Sequence, residues 1–329
     1  GGSHSSRLTK KGGFMMFRKK VDIKSFKKVY LVHNHNAGKQ TFFAAMHRSV
    51  ERLADEFIAM YGPAAFSYYR INTFNDAQIV ARKACDEQVD WIIIAGGDGT
   101  LRAISEVLVE RDYMPYVSIY PAGTVNLVAK ELAQKTDATS WLMRVEKGIT
   151  APVWLGKAND RIFLTVAGIG VDSLVVDMVT PKEKKLLSTL AYVRQSGLVA
   201  GNEMLLHPWK YKFEVMIDGD GVWRAASSVI VTKSRYYAGR FSLVNGGSLS
   251  NPALYVILFK KDRCVDFLRY TALIAADMLS LDKSVEICKA QEVQIRCNVK
   301  NFAAELDGDS VATSPLSISL LPTPLNFIS

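Results

Sequence analysis

The sequence predicts an α/β domain built on a parallel, Rossmann-like sheet, followed by a domain that is an antiparallel β-sandwich. Three observations carry this expectation. Up to about residue 148, short apolar runs alternate with longer amphipathic stretches, the rhythm of strand–helix–strand units. Beyond that point the pattern changes to period-two runs with few helices between them, as sheets packed face to face require. The apolar run Trp91–Ile94 also ends abruptly in Gly96, Gly97, Asp98, Gly99 and Thr100, a turn suited to joining a buried strand to a helix.

In the first half, Lys27–His33 reads as a strand and about Thr41–Met60 as a helix. Phe66–Ile71 is a second strand, and Asp76–Cys85 a second helix. Trp91–Ile94 has the continuous apolar character of a strand covered on both faces, and Leu101–Val109 continues as a helix. Val117–Tyr120 is the next strand, with a helix starting after Asn126. Open parallel sheets bind ligands at the carboxyl ends of their strands. Asn34, Thr73, Asp98 and Thr124 all fall just past such ends.

In the second half, the period-two runs are Arg161–Val166, Tyr211–Ile217, Ala225–Thr232, Leu254–Phe259, Val285–Ile287, Glu292–Cys297 and Ser317–Leu321. Lys182–Val199 and Cys264–Leu281 interrupt them and read as helices. No internal repeat or low-complexity segment is present.

The glycine turn is the strongest chemical signal. Glycines between a strand and a helix let backbone N–H groups approach an anion, and the helix dipole adds to the attraction. Asp98 among those donors suits a phosphate only if Mg²⁺ lies between them. The alternative is that Asp98 or Thr100 simply caps the helix. The spacing is not that of the dinucleotide fingerprint, so a nicotinamide dinucleotide fold of that kind is not supported. Gly38, Lys39, Gln40 and Thr41 have the look of the end of a Walker loop, but the earlier glycine that loop needs would fall at His33.

GGDGT followed, after the next strand, by Gly123, Thr124, Val125 and Asn126 resembles the catalytic domain of the diacylglycerol kinase family, which includes bacterial lipid kinases and the sphingosine and ceramide kinases. Asn34–Lys39 resembles that family's Asn-Pro-x-x-Gly phosphate loop, with His35 at the proline position. Thr73 matches the threonine after the second strand. Gly168, Gly170 and Asp172 match a Gly-x-Gly-x-Asp segment, and Gly239 and Pro252 match later glycine and proline positions. Asp307, Gly308 and Asp309 resemble the Asp-Gly-Glu motif near the C-terminus. The matches keep the family's order from Val29 onward. There are departures: Arg102 and Ala103 stand where the family commonly has Asn and Glu, and Asn251–Val256 lacks the two carboxylates of an Asp-Gly-Leu-Leu-Asp-Val segment. Without those oxygen ligands, an accessory structural Mg²⁺ site found in some relatives is not expected.

The resemblance implies an ATP- and Mg²⁺-dependent lipid kinase acting on diacylglycerol or a similar lipid alcohol. It implies nucleotide contacts from Asn34, Gly38, Lys39, Thr73, Gly96, Gly97, Gly99, Thr100, Gly123 and Thr124. Asp98 would hold the metal, and Asp307 would be the general base. Asn126, Asp172 and Asp309 fall to the acceptor side. From the residues alone, Asp307–Gly308 is equally a hairpin turn, and Asn126 and Thr124 are equally helix caps. The resemblance also implies that the chain's end, 316–329, rejoins the first domain, which then spans 15–148 with the sandwich over 149–315. Two rivals remain open: an NAD kinase, whose family shares the GGDGT turn, and a nucleotide-binding protein without catalysis.

At 329 residues, with 49% hydrophobic and 22% charged residues, the chain suits two folded domains and not a disordered one. Gly1–Phe14 reads as an expression leader ahead of Met15 or Met16 and is set aside from fold reasoning. Its Arg7, Lys10 and Lys11 account for three of the nine net positive charges, leaving +6. That balance suits an anionic partner; nucleic acid is not expected, and a homodimer is neither required nor excluded. No run of 18 apolar residues occurs, so a cytoplasmic protein with peripheral contact to an anionic membrane is expected. Lys182, Lys184 and Lys185 ahead of Leu186, Leu187 and Leu190 read as an ordinary amphipathic helix or as a lipid-docking one. Cys85, Cys264, Cys288 and Cys297 have no metal-site or redox-pair spacing. His33, His35 and His47 read as solvent or helix-capping histidines with no carboxylate nearby, and no metal role is expected of them.

Overall fold

The computed structural model describes residues 19–37, 43–170, 212–237, 241–298, 302–313 and 315–329. The first part alternates as predicted: β1 (Val29–Asn34), α1 (Phe43–Tyr61), β2 (Phe66–Ile71), α2 (Phe74–Asp86), β3 (Trp91–Gly96), α3 (Asp98–Glu110) and β4 (Tyr116–Pro121). Two shorter helices, α4 (Leu127–Glu131) and α5 (Ala138–Val145), lead to β5 (Thr150–Val153).

The four strands β1–β4 pair in parallel in the order β2-β1-β3-β4. The continuous apolar runs are explained by cover on both faces. Tyr30, Val32, Ile92 and Ile94 face Ala77, Val80 and Ala84 of α2 and Leu101, Ile104 and Leu108 of α3. Val29, Leu31, Trp91 and Ile93 point the other way, against Leu53 and Phe57 of α1 and Trp141 of α5. Successive strand residues face opposite sides, so both faces are lined mainly by apolar side chains, and the buried polar ones, His33 and Ser118, are hydrogen-bonded. The chain leaves β1 for β2 on one side and returns for β3 on the other. This reversal makes a crevice beyond the carboxyl ends of β1 and β3.

The second part contains β6 (Gly156–Ala158), β7 (Arg161–Phe163), β8 (Val166–Ile169), β9 (Phe213–Ile217), β10 (Arg224–Ala226), β11 (Ser228–Thr232), β12 (Leu254–Phe259), α6 (Cys264–Ala275), β13 (Val285–Ala290), β14 (Glu292–Cys297), β15 (Phe302–Leu306), β16 (Asp309–Thr313) and β17 (Leu316–Leu320). They form two antiparallel sheets, ordered β10-β9-β14-β17-β6-β7 and β13-β12-β11-β8-β15-β16. Phe163, Val215, Val229, Val256, Ile295 and Leu316 fill the space between them. α6 covers the outer face of the second sheet, with Phe267, Tyr270 and Ile274 on Ile230, Ile257 and Phe259.

β18 (Leu325–Ile328) then returns to the first sheet, parallel to β4 and antiparallel to β5. The first sheet thus takes in β5, beyond residue 148, while β17 belongs to the sandwich.

Several strand readings needed correction. Arg161–Val166 is not one strand but β7 and β8, in different sheets, because the N–H groups of Leu164, Thr165 and Val166 go to the Asp307 carboxylate. Ala225–Thr232 likewise splits at Ser227 between two sheets. α6 ends at Ala275, and a short 3-10 turn, Leu279–Leu281, follows it. The period-two reading missed β5, β6, β15, β16 and β18. The helix expected over Lys182–Val199 lies outside the described residues.

Candidate functional site

A cavity of about 330 Å³ opens at the crevice past β1 and β3, walled by Asn34, Thr73, Gly97, Gly99, Thr100, Gly123 and Thr124. α3 begins at Asp98 rather than Leu101, with Gly97 in the N-cap position. The amides of Asp98, Gly99 and Thr100 therefore belong to a first helical turn, where no intrahelical acceptor exists for them. Asn34 Nδ2 donates to Thr100 Oγ1 at 2.9 Å and ties the end of β1 to this turn.

The glycines act in two different ways. A Cβ on Gly123 would lie 2.5 Å from Gly97 Cα, so the turns after β3 and β4 touch backbone to backbone. A Cβ on Gly96 would lie 2.9 Å from Thr100 Oγ1. At Gly99 a Cβ would meet nothing within 4 Å. Packing accounts for the first three; only the cavity stands beside Gly99.

Asp98 does cap a helix, though not its own. Its carboxylate accepts from Leu127 N–H at 2.7 Å and Val128 N–H at 3.1 Å, the start of α4. Burial raises its pKa; these two amides oppose the shift and the neighbouring Asp307 charge adds to it. Asn126 takes the left-handed conformation at φ 52° and donates from Nδ2 to Gly123 O at 2.7 Å. Its buried Oδ1 lacks a hydrogen-bond partner among the described residues.

Asp307 and Gly308 form the two-residue turn between β15 and β16, with φ of 51° and 91° and Leu306 paired to Asp309. The turn carries the Asp307 carboxylate onto the 164–166 segment. There it accepts from Leu164 N–H (2.7 Å), Thr165 N–H (2.8 Å), Thr165 Oγ1 (2.9 Å) and Val166 N–H (3.2 Å). Burial raises its pKa against the pull of these donors. Two carboxylates far apart in the chain are thus each destabilised as an anion by burial, and the charge of Asp307 is felt at Asp98.

Among the other predicted residues, Thr73 caps α2 in a reciprocal pair with Asp76 while also lining the cavity. Asp309, expected on the acceptor side, is engaged instead by Arg102. Gly38, Lys39 and Asp172 lie outside the described residues, as does Gly239.

Sequence reasoning noted Arg102 only as a departure. Its buried guanidinium pairs with Asp309, donates from Nη1 to Leu306 O at 3.0 Å, and stands 5.8 Å from the Phe74 ring. It pins the hairpin of Asp307 to the helix that begins at Asp98. The only signal in the sequence was the arginine itself, a cation at position 102 where the family commonly has a neutral residue.

Glu131 and Lys233 were also missed. Glu131, at the end of α4, accepts from Ser234 Oγ (2.6 Å), Arg235 N–H (3.0 Å) and Leu249 N–H (2.6 Å), fastening the two domains. Lys233 is fully buried, donates to the carbonyls of Asn251 (2.9 Å) and Ala253 (2.8 Å), and burial lowers its pKa to about 7. A larger cavity of about 590 Å³ lies beyond Glu131 and Arg144, but none of the predicted site residues lines it. The glycines and threonines on its walls and the first-turn amides of α3 mark the smaller cavity as the chemical one.

A divalent cation fits this donor set. Buried carboxylates with raised pKa values are relieved by a positive charge near them, and each Asp98 oxygen retains a lone pair beyond its one amide bond.

Residues 28–158 match the family model of the diacylglycerol kinase catalytic domain, and residues 165–329 that of the YegS C-terminal NAD kinase beta sandwich-like domain. The chain is 25% identical over 284 residues to a diacylglycerol kinase of Bacillus subtilis (strain 168), covering 86% of this chain and 90% of that protein. It is 24% identical over 283 residues to a diacylglycerol kinase of Staphylococcus aureus (strain bovine RF122 / ET3-1), covering 86% of each. A crystal structure of a diacylglycerol kinase from Bacillus anthracis str. Sterne superposes with a TM-score of 0.69 at 21% identity, over 92% of this chain and 97% of that one. At that identity the likeness is one of fold.

Proposed function

The chain belongs to the diacylglycerol kinase family, and from that premise we propose that it is an ATP- and Mg²⁺-dependent kinase phosphorylating the hydroxyl of diacylglycerol or a similar lipid alcohol. The observation that carries this reading is a glycine-walled cavity at the carboxyl ends of β1 and β3, at the start of the helix that begins with Asp98, whose carboxylate feels the charge of Asp307.

In this reading the amides of Gly97, Gly99 and Thr100 bind phosphate oxygens, and Asn34, Thr73 and Thr124 orient them. Gly38 and Lys39 would add phosphate contacts, a role that rests on their resemblance to the family's phosphate motif alone. Asp98 is the residue that would hold Mg²⁺, which when bound offsets the charge on the transferring phosphoryl group. Asp307, whose raised pKa makes it a stronger base than an ordinary carboxylate, takes the proton from the acceptor hydroxyl. Asn126 Oδ1, buried and without a hydrogen-bond partner among the described residues, is available to accept from a hydroxyl of the lipid acceptor. Asp172 stays a candidate on the acceptor side. Asp309 works through Arg102, setting the position of Asp307.

A lipid acceptor requires the protein to meet a membrane surface. Among the described residues no helix is long and apolar enough to cross one, so the contact proposed is peripheral.

Labelled ATP offered with diacylglycerol, phosphatidylglycerol, sphingosine, ceramide and NAD tests the reading. Label in a lipid supports it, label in NAD alone replaces it with an NAD kinase, and no label leaves a nucleotide-binding protein.

A further inference from the structure

The three histidines of the first domain, read from sequence as solvent or capping residues, pack against one another. His33 is fully buried in β1, His35 follows in the turn, and His47 comes from α1. Their ring centroids are 4.3 Å (His33–His35), 4.7 Å (His33–His47) and 4.4 Å (His35–His47) apart. One ring nitrogen from each lies within 4.8 Å of the other two.

The arrangement has the parts of a metal site. Tyr68 OH meets His33 Nδ1 at 2.6 Å, which orients the ring and leaves Nε2 pointing inward at His47 Nδ1, 2.8 Å away. A hydrogen bond of this kind on the outer nitrogen is what holds a ligating imidazole in place. His35 Nε2 is buried and has no hydrogen-bond partner among the described residues, an acceptor or donor facing nothing that satisfies it. Metal–nitrogen bonds of about 2.0–2.1 Å in tetrahedral geometry need nitrogens about 3.4 Å apart, which lies between the separations present. Small side-chain adjustments reach it.

The surrounding charge also permits it. Arg70 is the cation felt at the cluster, and it is bridged to Glu51 at 2.8 Å. Glu51 stands one helical turn after His47 on α1, and its charge acts on His35. The sequence reading that no carboxylate accompanies the histidines is thereby corrected.

We propose that His33, His35 and His47 bind one borderline transition-metal ion, Zn²⁺ or its chemical equivalent, in three-imidazole coordination with a fourth position open. Imidazole ligands without a thiolate or a carboxylate majority select this class over Mg²⁺ or Ca²⁺. The site is separate from the Mg²⁺ of phosphoryl transfer and does not depend on the chain being a kinase. A bound ion would clamp the end of β1 and the turn after it, next to Asn34, to α1.

The full chain, stripped with a chelator, is titrated with Co²⁺ as a spectroscopic probe and with Zn²⁺ by calorimetry. The expected result is about one equivalent bound, with the intense visible absorption of tetrahedral Co²⁺, displaced by Zn²⁺. His35→Ala and His47→Ala each weaken binding by about a hundredfold, and Tyr68→Phe, which keeps all three ligands, by about tenfold. Melting curves in chelator establish that each variant is folded; His35→Ala, in a half-buried turn, is decisive if His47→Ala is not. Absence of stoichiometric uptake overturns the proposal. So does uptake unchanged in His35→Ala, which would assign the metal to His4 or His207.

Discussion

Replacing Gly99 with Ala separates phosphate binding from architecture. Gly99 is the second residue of α3, its φ is not left-handed, and an added Cβ meets no atom within 4 Å. Glycine in a helix costs up to about 1 kcal/mol relative to alanine, less in a first turn. With nothing to clash, Gly99→Ala should therefore stabilise the folded protein by about 0.5–1 kcal/mol. For a chain of this size that raises Tm by about 1–4 °C. The same methyl projects into the cavity and would hold a phosphate off the helix amides, weakening ATP binding by about tenfold, or about 1.4 kcal/mol. Differential scanning calorimetry and equilibrium ATP binding read the two effects on one sample. Gly123→Ala is the contrast, since its Cβ would fall 2.5 Å from Gly97 Cα and the two turns must separate. That variant loses stability by about 1–3 kcal/mol. If Gly99→Ala binds ATP as tightly as the parent, the nucleotide does not lie against this turn and the phosphate assignment is wrong.

Three further outcomes are expected. Burial raises the pKa of both Asp98 and Asp307, so the acidic limb of the kcat/KM profile should lie above the ordinary carboxylate value of 3.8, and Asp98→Asn should abolish turnover. By linkage each raised carboxylate contributes stability that is full below 3.8 and lost as pH rises through its folded value; a rate profile flat down to pH 4 would remove both groups from the mechanism. Lys233, lowered from 10.5 to about 7, binds its proton more weakly in the folded state. Unfolding free energy should therefore rise with pH between those values by up to about 1.4 kcal/mol per unit, a slope that Lys233→Met flattens in urea titrations. Arg102→Ala should cost about 1–3 kcal/mol, chiefly through the buried bond to the Leu306 carbonyl, because Asp309 is 62% exposed and its Coulomb share is screened. It should lower kcat more than it raises the KM for ATP, and a variant with parental kcat would deny Arg102 a part in positioning Asp307.

Much of this was legible in the chain. Trp91–Ile94 reads as a strand covered on both faces, and the glycines after it as a turn made for close approach, because apolar periodicity and glycine are local signals. What the local pattern concealed were meetings between distant segments. Arg161–Val166 alternates like a single strand, yet its middle is claimed by a carboxylate more than 140 positions away. Asp307–Gly308 is at once the hairpin turn and the candidate base, a choice that sequence left open because one geometry serves both. Leu325–Ile328 carries no mark of joining a parallel sheet; its place depends on the vacant edge of β4.

The sequence by itself determined two domains, their sheet types and a glycine-lined phosphate candidate, since each follows from side chains acting on their own neighbours in the chain. The tertiary structure alone decided that Asp98 feels the charge of Asp307, that Arg102 answers Asp309, and that three histidines pack together. Those contacts join residues whose separation is erased only when sheets and helices bury their common cores, and no local pattern records which surfaces that burial brings together.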